Sequence, residues 1–167
     1  MMFPPSGRAD GFPHRYLDAA PDYSGPFTDR VSQLGAELSD VLSADSSHDA
    51  DMSYNAGQKL GLLFLPDGSP TTDPRAATYS LGIWISSKGP LWTRILHCGQ
   101  EGDLAWRPCP LSDFPNTSLL DTIENFMRDK GLALVDDDIL NQMAEGKETK
   151  MDGAPATIRD VLFCETC

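Results

Sequence analysis

No apolar run in this chain is long enough to cross a bilayer. The longest, "LGLLFLP" at residues 60–66, is about a third of the ~20 residues a membrane helix needs. The opening stretch "MMFPPSGRADGFPHRY" has no apolar core of the signal-peptide type. The expectation is therefore a cytoplasmic protein, or one exported without a cleaved leader, with no membrane association. Basic residues are also scarce: 13 Lys and Arg stand against 25 Asp and Glu, a formal net charge of −12. Such a field repels nucleic acid and anionic lipid and attracts basic partners, so direct DNA or RNA binding is not expected. The excess is spread over both halves of the chain, with no separate acidic tail or basic arm. The bland alternative is that acidity serves only solubility.

Catalytic signatures are missing as well. The chain has no nucleophile elbow, Walker loop, dinucleotide-binding glycine fingerprint or HExxH. Its three histidines, His14, His48 and His97, are scattered, and His97 beside Cys98 in a strand points to the opposite face. A calcium loop counted from Asp49 has Tyr54 where Gly belongs and Leu60 where Glu belongs. The four cysteines do not spell a zinc knuckle: Cys164 and Cys167 form a CxxC, but Cys98 and Cys109 are eleven apart. No helix follows the terminal pair to activate it as a redox dithiol. Cys98 and Cys109 are expected to act as small core hydrophobes, and disulfides are expected only outside the cytosol. No cofactor or metal is expected.

The residues that are present predict a single α+β domain. Residues 1–26, rich in Pro, Gly and Asp, read as an irregular arm laid over the domain by Phe12, Tyr16 and Tyr23, and residues 27–167 as the domain itself. "FTDRVSQLGAELSDVLSA" carries Val31, Leu34, Leu38, Val41 and Leu42 at helical spacing, with Thr28 or Asp29 as cap. "DSSHDADMSYNAGQ" reads as a polar connector, and "KLGLLFLP" as a strand stopped by "DGSP". "TYSLGIWISS" and "LWTRILHC" flank "KGP" as an antiparallel hairpin, and the prolines of "LAWRPCP" confine it to a sheet edge. A second helix, "NTSLLDTIENFMRDKG", has an apolar face of Leu119, Leu120, Ile123, Phe126 and Met127, with Gly131 placed for a C-cap. "LALV" reads as a short strand, "DDDILNQMAEG" as a short helix with Asp at its positive end, and "PATIRDVLF" as a strand or helix. Together these give a mainly antiparallel sheet of four to six strands with two to three helices packed on it.

The hairpin is the most informative stretch. With its turn centred on Lys88, Trp84 falls opposite Trp92 with Arg94 next along that face, while Tyr79, Leu81, Ile83 and Ile85 face the core. Two Trp and an Arg among small residues have the composition of an interface hot spot. The competing reading is that a helix covers the Trp pair inside the monomer.

In profile — small, acidic, α+β and free of catalytic motifs — the chain resembles bacterial toxin-immunity proteins, and also the small acidic chaperones of secretion systems. The likeness covers the whole chain but rests on no individual residue. It implies a protein partner, basic in the inhibitor case and blocked sterically. The candidate partner-binding residues are Trp84, Trp92, Arg94 and Trp106 as anchors, with Glu101, Asp103, Asp113 and Asp136, Asp137 and Asp138 to steer. Monomer or dimer is left open. The rival class is an enzyme or small-ligand binder assembled from Arg94, His97, Asp103 and Trp106.

Overall fold

Three eight-residue strands, β2 (Gly57–Phe64), β4 (Tyr79–Ser86) and β5 (Leu91–Cys98), lie side by side at the centre of the computed structural model, which describes residues 13–99 and 105–167. The outer edge of β2 is capped by two short strands, β1 (Ser47–Asp49) and β3 (Pro70–Thr71). That of β5 is capped by β6 (Arg107–Pro108) and by β7 (Ala133–Leu134), which alone runs parallel. Fragments of two or three residues thus occupy hydrogen-bonding groups that would otherwise invite edge-to-edge pairing. The seven-stranded sheet exceeds the four to six strands expected: β6 and β7 fall in "LAWRPCP" and "LALV", read as short strands, whereas β1 and β3 are too short to show a periodicity. β1 lies inside the stretch expected to be only a connector, where His48 Nε2 sits 2.7 Å from Gln58 Oε1.

Two helices cover one face of the sheet. α1 (Gly25–Leu42) starts earlier than its sequence pattern suggested: Ser24, rather than Thr28 or Asp29, caps it by accepting from the Phe27 N–H, and Pro26 occupies the first turn. α2 (Thr117–Asp129) is capped by the Asn116 side chain, which accepts from the Leu119 N–H at 3.2 Å. Gly131 follows it at φ +79°, the left-handed conformation that a helix end takes up most easily with glycine. Phe27, Val31 and Leu38 of α1 and Leu119, Ile123 and Met127 of α2 pack on Leu60, Leu62, Phe64, Leu81, Ile83, Ile85, Trp92 and Leu96 of the strands. Each such side chain removed from water contributes about 1.5–3 kcal/mol, so this layer dominates stability. Val41, expected in the stripe, is 54% exposed: at about 100° per residue it falls at the margin of the face that buries Val31 and Leu38.

The other face carries a C-terminal unit: α3 (Asp137–Leu140), the hairpin β8 (Met143–Glu148) with β9 (Pro155–Thr157), and α4 (Ile158–Leu162), with a capping box between Thr157 and Asp160. Val135, Leu140, Ala144, Ile158, Leu162 and Phe163 enclose Trp84 and Leu91. Gly57 N–H donates to the Phe163 carbonyl at 2.9 Å, and the Thr93 hydroxyl to the Val135 carbonyl at 2.9 Å, so this unit is bonded to the sheet as well as packed on it. Among the described residues, no helix is long and apolar enough to cross a membrane.

The register of the β4–β5 hairpin differs from the one read in the sequence. Ile85 pairs with Trp92 and Trp84 with Thr93, which places the turn centre between Lys88 and Gly89. A half-residue shift of the centre changes the pairing by one residue and sends alternate side chains to opposite faces. Trp92 therefore joins the helix-covered face and Trp84 the face under the C-terminal unit.

Candidate functional site

The two tryptophans expected to anchor a partner are core residues. Trp84 is 4% exposed and Trp92 1%, on opposite sides of the sheet, so the exposed pair inferred from the sequence does not exist. Arg94 lies on the Trp92 face, its guanidinium 5.7 Å from that ring and 3.0 Å from Glu124 of α2. Glu101 and Asp103 lie outside the described residues. Trp106 is 37% exposed and rests on Gly99, where a Cβ would meet its ring at 3.2 Å. Asp136, Asp137 and Asp138 are exposed at the start of α3. Asp136 holds the cap position without a side-chain capping bond, so its carboxylate is not used in the way its sequence context suggested. Asp113 is exposed in the short 3-10 turn Leu111–Asp113.

Several of these residues meet along the outer edge of β5. β6 covers the Leu96–Cys98 end, where Cys109 N–H donates to the Leu96 carbonyl, and β7 the Leu91–Trp92 end, where Val135 N–H donates to the Trp92 carbonyl. Since Trp92 and Leu96 turn their carbonyls outward, the alternation of a strand turns the Arg94 backbone outward too, into the gap between the two caps. A cavity of about 170 Å³ opens there, with Arg94, Leu96, Cys109, Asp137, Arg159 and Cys167 among its walls. Arg159 is 3.4 Å from Asp137 and donates to Asn141 at 2.8 Å. The Nε atoms of Arg94 and Arg159 are both buried without a hydrogen-bond partner. The outer nitrogens of both guanidinium groups are engaged, by Glu124 for Arg94 and by Asp137 and Asn141 for Arg159, which fixes the two side chains in the cavity wall. Trp106 adjoins the Gly99 end of this edge and Asp136 the Thr93 end, about 20 Å apart at ~3.3 Å per residue.

Cys98 and Cys109, expected as separate core hydrophobes, are joined to each other, and the CxxC of Cys164 and Cys167 is joined as well, with Cα–Cα distances of 6.0 and 5.7 Å. One sulfur residue of each pair lines the β5-edge cavity.

Of the rival catalytic set, Asp103 lies outside the described residues, and Arg94 and His97 do not face each other. His97 projects from the sheet face opposite Arg94, as their spacing along β5 requires. Burial, and then the neighbouring Lys59 ammonium, hold the His97 imidazole below the ordinary histidine value.

Sequence reasoning missed a second charged locus. Lys88, Lys147 and Lys150, three of the chain's five lysines, gather with Tyr54 around another cavity of about 170 Å³. Lys88 donates to the Leu17 carbonyl at 2.6 Å, Lys147 pairs with Asp18, and Lys150 donates to the Tyr23 hydroxyl at 2.6 Å. Burial, followed by repulsion from Lys147, pushes the Lys88 ammonium below its ordinary value, despite the opposing pull of Asp18. Lys88 also borders a groove of about 510 Å³ between α1, the hairpin turn and the end of α2, where Phe27, Val31 and Leu34 form the apolar wall. Positions 88, 147 and 150 are too far apart in the chain to form a motif.

The architecture is that of a mixed α+β protein with a mainly antiparallel sheet. Compared with models of protein families, with curated proteins and with solved structures, the chain matches none.

Proposed function

We propose that this protein is a protein-binding module, an immunity- or antitoxin-type inhibitor that blocks a basic toxin or effector sterically. The observation that carries the reading is the β5 edge, where the exposed Trp106 and the Asp136–Asp138 carboxylates flank a cavity lined by Arg94 and Arg159. The carboxylates steer a basic partner, which raises the association rate. Trp106 supplies the apolar anchor, and the partner covers the cavity lined by Arg94 and Arg159 at the centre. Trp84 and Trp92 take no direct part; they make the edge rigid from beneath. The reading places the protein in the cytoplasm, where glutathione and thioredoxin keep thiols reduced and both disulfides open.

The test is capture of a partner from host lysate by the tagged protein, at about 0.05 M and about 0.5 M salt, compared with two variants. The expected result is one basic protein held stoichiometrically by wild type and weakened by salt. Trp106→Ala loses it, and the triple change Asp136→Asn, Asp137→Asn, Asp138→Asn removes most of the salt dependence. A partner retained equally by all three proteins rejects this surface, and a partner of acidic character rejects the electrostatic argument.

A further inference from the structure

Three metal-ligating groups meet beside the β5 edge. The sulfurs of Cys98 and Cys109 and a carboxylate oxygen of Asp113 all lie within 4.8 Å of one another. Each is held by backbone that does not depend on the Cys98–Cys109 bond. Cys98 ends β5, and Cys109 N–H donates to the Leu96 carbonyl at 3.0 Å. Asp113 N–H donates to the Pro110 carbonyl at 3.0 Å, and its neighbour Phe114 is buried edge-on against Phe64 and Tyr79 at 4.8 and 5.4 Å. Opening the disulfide therefore leaves three donors facing one point.

From this geometry we infer a thiophilic metal site formed by Cys98, Cys109 and Asp113, closed while the two cysteines are joined and open once they are reduced. A disulfide has no thiolate to offer a metal. A dithiol reductant of the thioredoxin class supplies two electrons and two protons: its own thiols close to a disulfide as the Cys98–Cys109 bond breaks to two thiols. A divalent cation then displaces both thiol protons to water as two metal–sulfur bonds form. Two thiolates and a carboxylate suit Zn²⁺ among available cations, with the fourth position left to solvent. Zinc bonds of about 2.3 Å to sulfur and 2.0–2.2 Å to oxygen put tetrahedral donors about 3.6–3.8 Å apart. To reach this the two sulfurs, bonded to each other in the oxidised form, must move apart on reduction, and the carboxylate oxygen, within 4.8 Å of both, must close by up to about 1 Å. The three negative donors of an already acidic chain add a field that favours a cation. The site adjoins the proposed partner edge, whose cavity Cys109 also lines, and the sequence spacing that argued against a zinc knuckle does not exclude it, because a carboxylate and solvent take the places of a second cysteine pair.

Cobalt(II) provides the probe, since thiolate ligation gives it charge-transfer absorption that carboxylate ligation does not. The intact chain is titrated with Co²⁺ before and after reduction by a phosphine. The oxidised protein should show no thiolate band, and the reduced protein one equivalent of Co²⁺ displaced by Zn²⁺. Cys98→Ser and Cys109→Ser should each abolish the two-thiolate spectrum. Asp113→Asn, on an exposed turn and with both thiols intact, should weaken binding on the order of tenfold or more, as even outer-sphere losses at metal sites do. The double variant Cys164→Ser, Cys167→Ser should bind as wild type. A reduced wild type without the band overturns the site. So does an Asp113→Asn variant of unchanged affinity, or a band lost only with Cys164 and Cys167.

Discussion

His97 illustrates how a single side chain reports its surroundings. Its imidazole is held below the ordinary value of about 6.5 by burial first and by Lys59 second, so the folded state resists protonation more than the unfolded state does. As pH falls through 6.5 the unfolded chain takes up its proton first, and stability declines until the lowered folded value is passed. Below that point the loss from this residue is complete. Lys59→Gln should move the His97 midpoint upward and narrow the window, which an NMR titration of the imidazole ring protons measures; an unmoved midpoint would leave burial as the sole cause. Gly57 is constrained differently: a Cβ there would meet the Ile85 carbonyl oxygen at 2.6 Å, and backbone cannot swing aside. Gly57→Ala should cost about 1–3 kcal/mol in urea denaturation. The three tryptophans separate by role. Trp92→Ala should lower stability by about 3–5 kcal/mol. Trp106→Ala should stay within about 0.5 kcal/mol of wild type, so that any loss of binding reads as interface.

At the scale of elements, the informative feature is the β5 edge with its two short caps. The Cys98–Cys109 bond closes a loop of eleven residues' separation and ties the end of β5 to the segment after β6. Chain-entropy reasoning assigns such a loop about 3 kcal/mol. In oxidising buffer, Cys98→Ser should therefore lower the urea midpoint by a corresponding amount, while under full reduction wild type and variant should converge; a persistent gap would point to packing of the sulfur instead. The helices were legible because their apolar residues recur at helical spacing: Val31, Leu34 and Leu38 in α1, and Leu119, Ile123 and Met127 in α2. The alternation of Tyr79, Leu81, Ile83 and Ile85 likewise marked one face of β4 as core. The hairpin register was not legible. "SSKGP" accommodates a turn centred on Lys88 or between Lys88 and Gly89, and nothing local distinguishes them. The difference is set by what must be buried: the observed register gives each face one tryptophan, under α1 and α2 on one side and under Leu162 and Phe163 on the other.

For the whole molecule, charge is the governing quantity. A net −12 makes the compact state repel itself, so moderate salt should stabilise the isolated protein while it weakens any complex with a basic partner. The melting midpoint should rise between about 0.01 and 0.15 M NaCl, by about 2–4 °C for each kcal/mol of repulsion screened. A midpoint that falls would mean that local ion pairs such as Arg94–Glu124 and Arg159–Asp137 outweigh the net field. The cavity that gathers Lys88, Lys147 and Lys150 is also lined by Glu148, Asp160 and Glu165, so charges of both signs are interspersed there.

The sequence by itself determined the α+β class, the two long helices, the central strands, the acidity and the exposed position of the Asp136–Asp138 run. Each of these follows from local pattern or from composition, which a reader of the chain can count. Tertiary structure decided the sheet register, the burial of Trp84 and Trp92, the strands β1 and β3, and the meeting of Cys98, Cys109 and Asp113. It also brought Arg94 and Arg159 to one cavity from positions sixty-five residues apart. A two-residue strand exists only through its partner, and a tryptophan is core or anchor according to what covers it. Both depend on contacts between distant segments, which no local pattern encodes.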